Sequence, residues 1–180
     1  MRQLIFSLFT AAVFALGQPA LAENKPDNPA ALVTTSIAVT GAVEHPLQLT
    51  VADLRRLPAE QLGDVPLICQ SGADMGKLEH VRGVRLRDLL DQAGIVAPGH
   101  DDLRKTIVVA KASDGYLAIY SWNELYNTPL GNGVLVYFEK EGKPLDDDEG
   151  RIAMVSSGDV RTGPRHVKWL KSLEVRRIAD

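Results

Sequence analysis

Beyond residue 22 this chain never holds one periodicity for long. Short β-prone runs at residues 37–40, 47–49, 65–69, 106–110, 116–120, 134–139, 143–145, 152–155 and 167–175 alternate with turns rich in Gly, Pro and Asp. Helical spacing is confined to three short stretches. Thr50 and Asp53 open one that carries Val51, Leu54 and Leu57 on one face and stops at Pro58. Leu86, Leu89 and Leu90 mark a second over residues 85–93, closed by Gly94. Ser121 and Glu124 form the capping box of a third, around residues 122–126. Asp114 and Gly115 read as a hairpin turn, and the polar run 70–76 as the loop that ends the strand before it. Strands outnumber helices, and no βαβ rhythm with long crossover helices is present. The expected class is α+β with a mixed or barrel-like sheet, not a doubly wound one.

Residues 1–22 read as a signal peptide: Arg2 in a basic start, an apolar run over residues 4–16, then Ala20 and Ala22 in an Ala-x-Ala type cleavage site. That run falls short of the about 20 residues a membrane span needs, and no later stretch reaches that length. The mature chain is therefore expected in the periplasm and not embedded in a membrane. A single Arg without an Arg-Arg pair reads as an address for unfolded export, so any cofactor would be acquired afterwards. Residues 23–33 are polar and Pro-containing and read as a flexible arm. Residues 34–180 read as one domain of ordinary size. The net charge of -3 becomes -4 without Arg2. That balance argues against a general nucleic-acid surface and leaves small molecules as the expected partners.

The single cysteine, Cys69, stands in a compartment where cysteines normally come in pairs. It ends the run 65–69 and opens a small polar stretch, Gln70, Ser71, Gly72 and Ala73. Three readings stand: an inert packed thiol, half of an intermolecular pair, or a thiolate that faces a cavity and binds a metal. The segment 156–170 gathers glycines with Arg161, Arg165, His166 and Lys168. Glycines let the backbone approach an anion, and these side chains donate to phosphate oxygens. A solvated basic loop leading into an edge strand fits the same residues, because no P-loop motif is present. Tyr116 either packs on its hairpin or places a phenol at a site. Cys69, Glu79, His80 and His166 follow no usual zinc spacing, and no nucleophile elbow or triad signature supports hydrolysis.

Gly163, Pro164, Arg165, His166, Val167, Lys168, Trp169 and Leu170, followed by Ser172, Leu173, Glu174 and Val175, resemble the closing signature of the sulfite-oxidase-like family. That signature runs Gly-Ala-Arg-(Ser/His)-Val-Lys-Trp-Leu before an Ile-Glu-Val type strand. Other segments agree in order: the opening 41–57, the strand 65–69, the run 83–90, the turn Ser113, Asp114, Gly115 and Tyr116, and Gly142, Lys143, Pro144 and Leu145. The resemblance implies a sulfite-oxidase-type molybdopterin-binding fold and a molybdopterin or related pterin cofactor. Arg161, Gly163, Arg165, His166 and Lys168 would hold its phosphate. It further implies molybdenum ligation by Cys69, at the place where relatives carry a ligand cysteine, with Tyr116 beside the substrate. Sulfite-oxidising relatives often place arginines directly after that cysteine. The run 70–76 has no basic residue, so sulfite is not the expected substrate. Two functions follow: a small periplasmic molybdopterin-dependent oxidoreductase with a redox partner, or a metal-free pterin-binding module that signals to a membrane sensor protein. Small stand-alone members of the fold generally lack the cysteine, so Cys69 favours the first. An accessory domain that has lost its ligand is the third reading.

Overall fold

Strand β1 (Ser36–Gly41) buries Ile37 and Val39 and leaves Ser36, Ala38 and Thr40 partly exposed, the period-2 pattern of a sheet with one covered face. It pairs antiparallel with β2 (Leu47–Thr50) and parallel with the last strand, β12 (Leu170–Arg177). β12 lies beside β7 (Thr106–Ala112), which forms a hairpin with β8 (Leu117–Ser121). A second sheet runs β10 (Lys143–Pro144), β9 (Val134–Lys140), β6 (Val81–Arg85), β3 (Glu60–Gln61), with β11 (Ala153–Ser156) also on β9. A separate hairpin joins β4 (Val65–Ile68) to β5 (Asp74–Leu78). These elements belong to a computed structural model that describes residues 28–178. The expected signal peptide lies outside the described residues. Within segment 23–33, the described part forms a 3-10 turn, Pro29–Leu32, and the Leu32 carbonyl accepts a hydrogen bond from Ser113 Oγ.

Three short helices close the main core. The capping boxes expected at Thr50 with Asp53 and at Ser121 with Glu124 start α1 (Val51–Leu54) and α3 (Trp122–Tyr126). α2 (Leu86–Ala93) buries Leu86, Leu89, Leu90 and Ala93. No helix among the described residues is long and apolar enough to cross a membrane. The expected α+β class is what the chain adopts, with β1 and β12 as the parallel pair in an otherwise antiparallel arrangement of described strands.

β9 positions the site because both its faces are buried, the environment of a central strand. Val134, Val136 and Phe138 enter the main core, while Tyr137 joins a second apolar cluster with Val65, Leu78, Val81, Leu145, Ala153 and Val155. That second cluster fastens the β4–β5 hairpin to the sheet. Each large side chain in it is worth about 1.5–3 kcal/mol of burial. The hairpin itself departs from expectation: β5 exposes Asp74 through Lys77 and buries only Leu78, so it offers no alternation to read. The last strand starts at Leu170 instead of 167. Trp169 has a φ of 48°, outside the extended region, and Val167 makes only an isolated bridge to Met154.

Candidate active site

Cys69 follows the last residue of β4 and begins a tight turn at the tip of the hairpin. Its N–H donates to the Ala73 carbonyl at 2.9 Å, and its own carbonyl accepts from Gly72 N–H at 2.9 Å. The Cys69 thiol is partly exposed. The loop between β11 and β12 reaches this turn through three consecutive residues. Thr162, 1% exposed, donates its hydroxyl proton to the Pro66 carbonyl at 2.6 Å and accepts from Ile68 N–H at 2.9 Å. It thereby satisfies the edge of β4 that β5 leaves open. Gly163 presses against the cysteine backbone: a Cβ there would lie 2.9 Å from the Ile68 carbonyl oxygen and 3.4 Å from Cys69 Cα. Arg161 lies over Gly72, with its guanidinium nitrogen 3.0 Å from where a Cβ would stand, and Gly72 has a φ of +94° that an L side chain rarely adopts. The run 70–76 carries no basic residue, yet a cation from another loop reaches it.

The rest of the loop is fixed by its neighbours. Tyr116 Oη donates to the Pro164 carbonyl at 2.9 Å. Burial, then the nearby Asp114, raises the Tyr116 phenol above its ordinary range, so it stays protonated. Arg165 donates from Nε to Asp159 Oδ2 at 2.7 Å, from a second nitrogen to Asp159 Oδ1, and from a third to Glu124 Oε1 at 3.0 Å. Its guanidinium also sits 4.6 Å above the Tyr120 ring. Three of its five N–H groups are spent inside the protein, and its side chain is 17% exposed. Arg165 therefore shapes the loop more than it faces solvent. His166 turns its ring inward, with Nε2 2.8 Å from the Tyr137 hydroxyl. Lys168 and Arg161 form no ion pair with a carboxylate among the described residues.

The structure thus brings Cys69, Arg161, Gly163 and, through Pro164, Tyr116 into one neighbourhood, and sets Arg165 and His166 behind it. Sequence reasoning missed Thr162, Asp159, Tyr120 and Tyr137. Glu124 was visible only as a helix cap. Among the described residues no three of His, Cys, Asp and Glu gather in a metal-binding group. A metal at Cys69 must therefore arrive with further ligands of its own. The donor set fits such a group: one soft sulfur donor, close backbone approach at Gly163, and Arg161 over the turn, a cation suited to a phosphate.

Comparisons with known proteins bear on the family and the fold. The family model described as oxidoreductase molybdopterin binding domain matches residues 26–179. Among solved structures, the chain resembles the sulfane dehydrogenase SoxCD from Paracoccus pantotrophus with a TM-score of 0.61 and 22% identity. That match covers 81% of this chain and 39% of the other, so this chain spans well under half of its relative, and the likeness speaks to the fold. No curated protein sequence matches. Matched over all of its described length, the chain belongs to the family of the oxidoreductase molybdopterin binding domain.

Proposed function

We propose that the chain binds a molybdopterin-type cofactor, or a related pterin, across the cysteine turn, and acts as a small exported oxidoreductase in the periplasm. One observation carries this reading. Thr162 and Gly163 clamp the closing loop onto the Cys69 turn and leave Arg161, which forms no ion pair among the described residues, lying over it. A cofactor with a phosphate at one end and metal-binding sulfurs at the other needs those two features side by side.

When bound, the cofactor supplies a metal centre that exchanges two electrons. The remaining work belongs to the chain. Cys69 anchors and tunes the metal as a thiolate ligand. Arg161 and Lys168 provide charge-assisted hydrogen bonds to the phosphate, and the Gly163 backbone allows its close approach. Arg165, held by Asp159 and Glu124, keeps the loop in shape. Tyr116, protonated and pinned to Pro164, offers an aromatic edge and a hydroxyl to orient a substrate.

The test is fluorescence of an acid-oxidised extract from protein purified out of its host's periplasm. The wild type is expected to yield pterin, and Lys168→Ala to lose most of it with an unchanged circular dichroism spectrum. Wild-type protein that carries no pterin contradicts the reading.

A further inference from the structure

Behind the closing loop lies a buried polar cluster that the cofactor reading does not use. Tyr137 is fully buried, and its ring lies 6.3 Å from that of His166 at an interplanar angle of 20°. Glu149, also buried, accepts from Lys140 Nζ at 3.2 Å through Oε1. Its Oε2 is enclosed and makes no hydrogen bond of full geometry. The carboxyl nonetheless lies close enough to the Tyr137 hydroxyl to help raise that phenol, second only to burial, with Asp146 adding to it. Burial above all, then Lys168 and Lys140, holds the His166 ring down to about 3. The charged and titratable groups around the imidazole are therefore Tyr137 and Lys140 from β9, Asp146 and Glu149 from the loop after β10, and Lys168 from its own loop.

A neutral imidazole has one N–H, so the cluster has two arrangements. If Tyr137 donates to Nε2, a buried carboxylate oxygen of Glu149 is left without a partner. If Nε2 carries the proton and donates to the phenol oxygen, the phenol proton turns to Glu149 Oε2 and every group is paired. A small side-chain rotation costs far less than an orphaned buried carboxylate oxygen.

We propose that Glu149 and Tyr137 are positioning residues that fix His166 as the uncharged Nε2–H tautomer, so that the closing loop presents its positive charge through Arg161 and Lys168 alone. The arrangement keeps the charge beside the anion-binding part of the loop constant across neutral pH. The His166 tautomer is set by Tyr137 and Glu149 whether or not a cofactor is bound, and only its consequence for anion binding rests on the proposed function.

The test is a long-range proton–nitrogen correlation spectrum of the full chain labelled with nitrogen-15 histidine. His166→Asn identifies the signal among those of His45, His80 and His100. The wild type is expected to show the Nε2–H pattern, unchanged from about pH 5 to 8. Glu149→Met removes the carboxylate, and the phenol proton then turns to Nε2 and switches His166 to the Nδ1–H pattern. A wild-type Nδ1–H or cationic pattern in that range overturns the proposal, as does an unswitched Glu149→Met. Should Glu149→Met fail to fold, the wild-type tautomer decides alone.

Discussion

Replacing Thr162 by Val keeps the side-chain shape and removes both hydrogen bonds that tie the closing loop to β4. The Pro66 carbonyl at 2.6 Å and the Ile68 N–H at 2.9 Å lose their partner together. A buried backbone group left unpaired costs about 1–3 kcal/mol. Pro66 is exposed and Ile68 partly so, so water recovers some of that, and the loss works out at about 2–4 kcal/mol. For a domain of this size each kcal/mol lowers Tm by about 2–4 °C, so the variant should melt roughly 5–15 °C below wild type. Urea unfolding followed by tryptophan fluorescence measures the stability, with Thr162→Ser as the control that keeps the hydroxyl. The same variant should release the Cys69 turn from Gly163 and lose cofactor more readily. A change below about 0.5 kcal/mol, the range of an ordinary surface substitution, would refute the clamp.

Other outcomes follow from neighbouring residues. The folded His166 ring resists protonation until about 3, whereas an unfolded histidine takes its proton near about 6.5. The unfolded state therefore binds more protons between those values, and stability present in full above the higher one is lost as pH falls, at up to about 1.4 kcal/mol per pH unit. Urea midpoints from neutral pH down to about 5 should fall less steeply for His166→Asn than for wild type, and equal slopes would contradict this. Asp159→Asn leaves the guanidinium of Arg165 poorly paired beside Tyr120 and should cost about 1–3 kcal/mol in the same assay. Gly72→Val imposes a side chain at a φ of +94° and displaces Arg161. It should cost about 1–3 kcal/mol in urea unfolding and weaken pterin retention, and full stability would count against the turn geometry.

Local chemistry was legible from the sequence, and distant chemistry was not. The capping boxes at Thr50 and Ser121 are written within four consecutive residues, and both form. The place of Cys69 at the end of a β-prone run was equally readable, as was the concentration of cations in residues 161–168. Thr162 could not be found that way, because its partners lie 94 and 96 positions away and a lone buried threonine leaves no periodic trace. Arg165 looked like a phosphate donor because its carboxylates come from two other places, one six residues away and one 41. The β5 strand escaped because its pairing with β4, not a buried face, defines it.

In the proposed function Cys69 holds the metal of a cofactor whose pterin end is gripped independently by the closing loop. Elemental analysis of protein from its own host, run beside Cys69→Ser, tests this most directly. The wild type is expected to carry stoichiometric molybdenum, and the variant to lose the metal while keeping the stability of the fold. Pterin without molybdenum in the wild type, or molybdenum retained by Cys69→Ser, would contradict it, the former pointing to a metal-free pterin-binding module.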